Sequence, residues 1–261
     1  MTETSAQRKL GRGAKQIKAL FEETDAYCDA DAYVFETKRE RRAPNEVVCR
    51  CYSIERTAPS DEWPLVAGEA IQNVRAALDH SVWAAWRSVR KNTGDGGHTQ
   101  FIISNDPDGF SRQAWRLKGV PAPVRELMER SQPYNRWPEA PERDTLAILR
   151  DLSNADKHRA LAVVACAVSF EMVGVGQGVT IENWHVASGK RLGHDTTEVS
   201  SFIAVSDGQS DPMGVAPDFS YDVRIEGYPL GILKGVVHAV FEIVTECETG
   251  SPPNPFAPYP L

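Results

Sequence analysis

The chain has 261 residues, of which 41 % are apolar and 25 % are charged, and its formal net charge is -7. This length and balance are typical of one large globular domain or two small ones with a sizeable core. The negative net charge argues against a protein that coats nucleic acid through bulk positive charge, although a local basic groove is compatible with it.

The five cysteines follow no regular framework, which argues against a disulfide-stapled secreted domain. Cys49 and Cys51 would point to the same face of a strand, and we expect both thiols to be buried. The N-terminal residues carry no apolar signal-peptide segment, and the longest apolar run, 160–168, is far too short to span a membrane. We therefore predict a cytoplasmic protein without membrane association.

Apolar periodicity predicts the elements of the first half of the chain. Residues 1–13 show no periodicity and are expected to be disordered, followed by a short helix over 16–27. Alternating patterns over 31–42 and 46–56, separated by a turn signal, predict a β-hairpin. The strongest helical pattern covers 61–91, with an apolar stripe of Ile71, Val74, Leu78, Val82, Ala85 and Val89.

Apolar periodicity and turn signals also predict the elements of the second half of the chain. The predicted helices cover 110–115, 122–130, 142–159 and 232–246, and the predicted strands cover 99–104, 161–173, 179–186, 199–205 and 219–226. Helices and strands do not alternate regularly, so we predict an α+β fold. Two long helices and a C-terminal helix would form its core, packed with an antiparallel, mainly C-terminal sheet. We expect a single domain over 14–249 and a Pro-rich tail over 250–261.

Two of the predicted helices carry similar short polar segments, which we call the first and second cassettes. The first cassette, 73–80, reads Asn-Val-Arg-Ala-Ala-Leu-Asp-His, and the second, 154–159, reads Asn-Ala-Asp-Lys-His-Arg. Each places Asn, Asp, His and Arg side chains within two helical turns, next to apolar positions. Such groups are costly to bury unless they pair with one another or take part in chemistry. We therefore expect function to reside in the cassettes.

Helical geometry predicts how these side chains are arranged. Arg75 and Asp79 are four residues apart, the spacing of an ion pair along a helix. Asp156 falls on the apolar face of its helix, where a buried carboxylate would need a cation. We predict that the two helices pack together so that Asp156 meets Arg75 or His80.

The cassettes support either a catalytic or a structural interpretation. In the catalytic one, Arg75, His80 and His158 act as acid, base or ligand groups, while Arg75 and Lys157 hold an anion such as a phosphate. In the structural one, a buried polar network fixes the register of two helices. A Gln-Pro-Tyr connector either lines a pocket or is simply packed. The candidate binding residues are Asn73, Asp79, Gln132, Tyr134, Asn154, Asp156, Lys157 and Arg159.

Common cofactor and nucleophile motifs are absent from the sequence. It contains no Walker-type phosphate loop, no G-x-G-x-x-G after a strand and no G-x-S-x-G nucleophile elbow. Nucleotide-driven and serine-hydrolase chemistries of the common kinds are therefore disfavoured. Neither cassette has two histidines four residues apart, the usual start of a catalytic zinc site. We predict neither a metal nor an organic cofactor.

The two cassettes and the Gln-Pro-Tyr segment between them resemble a family of uncharacterised actinobacterial and phage proteins. Those proteins have N-x-R-x-A-L-D-H in one helix, then Q-P-Y, then N-x-D-K-H-R in a second helix, and the resemblance implies no function. The stretch from Arg75 to His80 is also similar to the R-x4–6-H signature of the helical HEPN ribonucleases. That resemblance implies metal-independent action of Arg75 and His80 on RNA phosphate, generally across a homodimer.

Two classes of function are therefore open. The first is a binding or interaction protein of unknown process, with a buried Asn/Asp/His/Arg network between two helices. The second is a metal-independent, HEPN-like ribonuclease or phosphodiester-acting enzyme using Arg75 and His80, with RNA or a phosphate-containing small molecule as its ligand. A third alternative is a small-molecule-binding protein of phage conflict or bacterial defence, with its ligand beneath residues 132–134.

Overall fold

The computed structural model describes residues 3–89, 97–173, 178–187, 191–192 and 196–254. Its helices are α1 (Ser5–Asp29), α2 (Trp63–Val89), α3 (Pro107–Gln113), α4 (Ala122–Arg130), α5 (Pro133–Arg136), α6 (Thr145–His158) and α7 (Ile232–Thr249). Its strands are β1 (Tyr33–Ala43), β2 (Glu46–Glu55), β3 (Val163–Val173), β4 (Val179–Val186), β5 (Thr197–Ser206), β6 (Ala216–Ile225) and β7 (Tyr228–Pro229). The predicted α+β class is confirmed, and each strand pairing is antiparallel.

The described residues form two compact units, and the predicted single domain over 14–249 includes parts of both. The first unit comprises the described parts of Met1–Phe21, Glu62–Leu161 and Leu230–Leu261, and the second comprises those of Glu22–Asp61 and Ala162–Pro229. Each unit is assembled from segments that are distant in the chain. Local periodicity reports the faces of single elements, so it does not reveal such a division.

The core of the first unit is a packed set of three helices, α2, α6 and α7. Each contributes fully buried residues spaced three or four apart. They are Ile71, Val74 and Leu78 in α2, Leu146, Leu149 and Leu152 in α6, and Leu233, Val237 and Val240 in α7. Burial of each such side chain contributes roughly 1.5–3 kcal/mol to stability. The predicted apolar stripe of α2 is buried over most of its length, and only its last member, Val89, is largely exposed.

The N-terminus is helical from Ser5, so the prediction of a disordered segment over 1–13 is wrong for the described residues. Thr4 and Gln7 cap this helix reciprocally: the Gln7 N–H donates to Thr4 Oγ1 at 3.1 Å, and the Thr4 N–H donates to Gln7 Oε1 at 3.0 Å. Ala6, Leu10 and further residues at helical spacing are buried. The helical pattern of this segment was not recognised in the sequence, because small residues form much of the buried face of α1.

The 99–104 segment pairs with no other strand in the described part of the chain, contrary to the predicted strand. Its backbone instead bonds to side chains: the Phe101 N–H donates to Asp79 Oδ1 at 2.8 Å, and the Ser104 N–H donates to Gln132 Oε1 at 2.8 Å. Phe101, Ile102 and Ile103 are buried. The apolar residues that suggested a strand are buried, but apolar content does not reveal which groups bond to the backbone.

The second unit contains two antiparallel sheets, with strand orders β1-β2-β5-β4 and β3-β6-β7. The predicted hairpin is confirmed as β1 and β2, with Tyr33 opposite Glu55. Cys49 and Cys51 are both fully buried free thiols, as expected, and burial raises the pKa of each.

Aromatic rings join the elements of the second unit. Tyr33 of β1 lies edge-on to Tyr221 of β6, with ring centroids 5.2 Å apart, and Phe35 stacks on Phe219 at 4.9 Å. Tyr27, near the end of α1, meets both tyrosines at 6.5 Å. Burial raises the pKa of the Tyr27 phenol. The cluster therefore packs the end of α1 against β1 and β6 within this unit.

The predicted helix ends and tail are described only in part. Helix α7 ends at Thr249, followed by Gly250 in the left-handed conformation with φ of 74°. Residues 90–91 of the predicted second helix and residues 255–261 of the predicted Pro-rich tail lie outside the described residues. None of the helices in the described ranges combines the length and apolar composition that a membrane span requires.

Candidate functional site

Arg75 and Asp79 of the first cassette form the predicted ion pair on α2. Arg75 Nη1 lies 2.8 Å from Asp79 Oδ1, and Arg75 Nη2 donates to the Phe101 carbonyl at 2.6 Å. Because Asp79 also accepts the Phe101 N–H, the two side chains together hold both polar backbone groups of Phe101. The Arg75 side chain is only 15 % exposed, so this clamp is well shielded from solvent.

Asn73 and His80, at the two ends of the first cassette, bond to α1. Asn73 accepts from Lys9 Nζ at 3.0 Å and donates to Gln16 Oε1 at 2.9 Å. His80 Nδ1 lies 2.8 Å from the hydroxyl oxygen of Ser5. These partners belong to the N-terminal helix, which we had predicted to begin only at residue 16.

The predicted pairing of Asp156 with Arg75 or His80 is wrong. The carboxylate accepts a hydrogen bond from Gln72 Nε2 at 3.0 Å, and the same amide nitrogen donates to the Ser153 carbonyl at 3.0 Å. Asp156 is only half-buried. It therefore keeps part of its hydration, and a neutral amide suffices as a partner where a fully buried carboxylate would need a cation.

Asp156 packs directly against the backbone of α2 at Gly68. A Cβ atom added to Gly68 would lie 2.0 Å from Asp156 Oδ1, a distance that real side chains do not adopt. Gly68 is itself buried. The position of the Asp156 carboxylate against α2 therefore depends on a glycine at residue 68.

The remaining residues of the second cassette are exposed at the end of α6: Asn154, Lys157, His158 and Arg159. Helix α6 ends at His158, and Arg159 follows in an extended conformation. The predicted buried network between the cassettes is therefore not formed. Helices α2 and α6 are linked through Gln72 instead, which lies just before the first cassette.

Residues from both cassettes nevertheless meet at one cavity of about 390 Å³, which we call the cationic cleft. Helices α2 and α6, the 100–103 segment and the end of α3 surround it. The residues that line it are Gln72, Arg75, Ala76, Asp79, Gln100, Phe101, Ile102, Ile103, Gln113, Arg150, Ser153, Asn154 and Lys157. Four of the predicted site residues, Arg75, Asp79, Asn154 and Lys157, are thus brought together.

Arg150 is a member of the cleft that sequence analysis missed. Its guanidinium donates to Asn105 Oδ1 at 2.9 Å and to Asp151 Oδ1 at 2.8 Å, which holds it in place. Arg150, Asn154 and Lys157 are spaced four and three residues apart and share one face of α6. This periodic polar face was the signal available in the sequence.

A second cavity of about 430 Å³ lies on another side of α2, and we call it the Ser5–His80 cavity. The residues that line it are Thr4, Ser5, Ala6, Asp79, His80, Trp83, Ala84, Thr99 and Glu248. Arg75 and His80, the pair in the R-x4-H pattern, therefore line different cavities. Asp79 contributes to both cavities.

The Gln-Pro-Tyr connector contributes to neither cavity. Gln132 is fully buried, and its amide donates to the carbonyls of Ile102 and Met128, each at 2.8 Å. Tyr134 is half-buried in the short helix α5, and burial raises the pKa of its phenol. This geometry favours the packed-connector interpretation, with Gln132 anchoring the 101–104 backbone.

The predicted residues that lie apart from both cavities are Asn73, Gln132, Tyr134, Asp156, His158 and Arg159. Within the described ranges, no three His, Cys, Asp or Glu side chains lie close enough together to hold a metal ion. The chain matched no protein-family model, no curated protein and no solved structure. We therefore interpret the two cavities from their own residues and geometry.

Proposed function

We propose that this chain is a binding protein whose ligand carries a phosphate or a similar anionic group, held in the cationic cleft. The observation that carries the proposal is the convergence of Arg75, Arg150 and Lys157 on one cavity, where Asp79 is the single carboxylate among the described residues of the lining. The three cationic side chains and one carboxylate of these described residues sum to a formal charge of +2. This local excess stands against the negative charge of the whole chain.

The chemistry of the lining suits an anion with several oxygens. Each guanidinium carries five N–H donors, so Arg75 and Arg150 keep N–H groups beyond those bonded to the protein, and such donors suit phosphate and carboxylate oxygens. Lys157 is exposed and makes no hydrogen bond or ion pair to any residue that the structure describes, so its ammonium group is available to a ligand. The side-chain amides of Gln72, Gln113 and Asn154 add neutral donors around the same space.

The five cysteines, all free thiols, support a cytoplasmic location, because reducing compartments keep thiols free.

Phosphorylated ligands of the proposed class include small molecules and the phosphate backbone of RNA. The competing proposal, phosphodiester cleavage by Arg75 and His80, requires both side chains to reach one ligand. Since they line different cavities, we favour binding over cleavage.

Calorimetric titration with inorganic phosphate and with pyrophosphate tests the proposal. Lys157→Gln is the sharpest variant, because this exposed side chain has no structural bond to lose. We expect its affinity for pyrophosphate to fall about tenfold, as for the loss of one charge-assisted hydrogen bond. Lys118→Gln is the matched control, since Lys118 is an exposed lysine outside the cleft, and its affinity should equal that of the parent.

Equal affinities in the parent, Lys157→Gln and Lys118→Gln would contradict the assignment of the cleft. Raising the salt concentration should weaken binding in the parent, because the attraction is electrostatic. Incubation with an RNA oligonucleotide separates the competing proposal: cleavage that is lost in His80→Asn would favour the enzyme. Light scattering in the same buffers tests the predicted homodimer.

A further inference from the structure

The Ser5–His80 cavity has its own chemistry, distinct from that of the cationic cleft. We propose that Ser5 and His80 form a nucleophile and general-base pair that hydrolyses a neutral ester with a small apolar acyl group. This inference is independent of anion binding, because neither residue lines the cationic cleft. It also does not need a nucleophile elbow, because the serine is presented by the first turn of a helix.

The two side chains have the geometry that serine activation requires. Ser5 Oγ lies 2.8 Å from His80 Nδ1, within the range in which a base removes a hydroxyl proton. Nδ1 accepts this proton when the other ring nitrogen, Nε2, carries the hydrogen. Both side chains line the same cavity of about 430 Å³, which is large enough for a small ester.

The wall beside the pair is apolar. Ala6, Trp83 and Ala84 line the cavity, and the Trp83 side chain is 41 % exposed although most large apolar residues of α2 are buried. The Arg87 guanidinium lies over the Trp83 ring, 5.1 Å from its centroid, and the exposed remainder of the indole is an apolar surface against which an acyl chain can pack. The lining therefore favours a substrate with an apolar group next to its reacting carbonyl.

The start of α1 supplies donors for the negative charge that develops on that carbonyl oxygen. The N–H groups of Thr4 and Gln7 bond to each other's side chains, and the Arg8 N–H bonds to the Thr4 carbonyl at 3.0 Å. The N–H groups of Ser5 and Ala6 therefore begin the helix without an intrahelical acceptor. Both residues line the cavity, and the helix dipole adds positive potential there.

The carboxylates that line the Ser5–His80 cavity disfavour the anionic ligands proposed for the cationic cleft. Asp79 and Glu248 contribute carboxylates, and none of the described residues that line the cavity is Lys or Arg. Glu248 is anchored to the start of α1 by a hydrogen bond from Gln7 Nε2 at 2.7 Å. Two carboxylates would repel a phosphate ester and stabilise the imidazolium that forms during acyl transfer.

The reaction proceeds in two balanced steps. Ser5 Oγ bonds to the ester carbonyl carbon while its proton passes to His80 Nδ1, and this proton then passes to the leaving alcohol as the C–O bond breaks. A water molecule next adds to the acyl-serine carbon and gives a proton to His80. That proton returns to Ser5 Oγ as the carboxylic acid is released.

Two assays on the full chain test this proposal: covalent labelling with a fluorophosphonate probe, with the labelled peptide identified by mass spectrometry, and hydrolysis of p-nitrophenyl butyrate. We expect the label on Ser5 and a burst of p-nitrophenol in the parent. Ser5→Ala should abolish both signals, and His80→Asn should slow hydrolysis at least about 100-fold, the usual share of a general base. Thermal unfolding of Ser5→Ala should match the parent, since Ser5 is exposed.

Ser88→Ala is the matched control, because Ser88 is an exposed serine whose hydroxyl bonds only to the Ala85 carbonyl of its own helix. It should keep full labelling and hydrolysis, and so should Lys157→Gln. The proposal is overturned if the parent shows no label on Ser5, or if Ser5→Ala hydrolyses the ester at the parent rate. Anion binding should survive in Ser5→Ala, because Ser5 does not line the cationic cleft.

Discussion

The two cassettes share their residue types but occupy opposite environments. In the first, Asn73, Arg75, Asp79 and His80 each bond to another part of the protein. In the second, only Asp156 is built into a helix contact, and the other polar side chains are exposed. Similar sequence patterns thus support structure in the middle of α2 and place exposed charges at the end of α6.

The position of each cassette within its helix explains this difference. The first lies in the middle of the 27-residue helix α2, which packs against both α6 and α7. The second lies at the C-terminal end of the 14-residue helix α6, where most of its polar side chains are exposed to solvent. Substitutions in the first cassette should therefore lower stability, whereas in the second cassette only Asn154 and Lys157, which line the cationic cleft, should affect ligand binding.

Asp79→Ala should have the largest effect on stability. It would leave the Arg75 guanidinium and the Phe101 N–H without their acceptor in a shielded site, at a cost of about 3 kcal/mol. Urea unfolding measures this loss. Asp151→Ala on α6 is the control: its exposed ion pair with Arg150 should contribute less than about 1 kcal/mol. Equal losses for the two variants would remove the distinction between the cassettes.

Gly68→Ala should lower the free energy of unfolding by about 1–3 kcal/mol, because the new methyl group meets the Asp156 carboxylate and forces α6 or its side chain to shift. Gly11→Ala in α1 provides the comparison, since a Cβ atom there meets no atom within 4 Å. That variant should be neutral or slightly stabilising. An unchanged free energy of unfolding in Gly68→Ala would show that the Asp156 side chain or α6 can shift at little energetic cost.

Asn73→Ala and Asn154→Ala form a matched pair across the cassettes. Asn73 is buried and bonds to both Lys9 and Gln16, so its loss should cost about 1–2 kcal/mol in thermal or urea unfolding. Asn154 is exposed, and its loss should change stability by less than about 0.5 kcal/mol. A stability loss in Asn154→Ala as large as that in Asn73→Ala would contradict the comparison.

His158→Ala should have the smallest effect. His158 is exposed at the end of α6 and lines neither cavity, so stability should change by less than about 0.5 kcal/mol. Pyrophosphate affinity, measured by calorimetry, should equal that of the parent. A tenfold loss of affinity would instead place His158 on the ligand and revive its predicted role as an acid or base.

The features that the sequence predicts correctly are local. The hairpin of β1 and β2, the strand β4 and the ion pair of Arg75 with Asp79 depend on residues close together in the chain. Contacts between distant residues were not predicted. The hydrogen bond from Gln72 to Asp156 joins two helices about eighty residues apart, and its formation depends on their relative register, which sequence periodicity does not specify.

The candidate site shows the same limit. Arg75 and Lys157 were predicted to share an anion, and they do line one cavity. Arg150 was overlooked because it lies one turn before the second cassette, outside the resemblance that drew attention to that segment. Ser5 was overlooked because its helix was predicted to be disordered, so no element was available to bring it to His80.

Asp79 lines both cavities, and this shared carboxylate makes them thermodynamically linked. An anion in the cationic cleft would offset the charge of Arg75, which otherwise neutralises Asp79 at 2.8 Å. The electrostatic potential in the Ser5–His80 cavity would then become more negative. Free energies of binding are reciprocal, so a cationic ligand in that cavity would in turn strengthen anion binding in the cationic cleft.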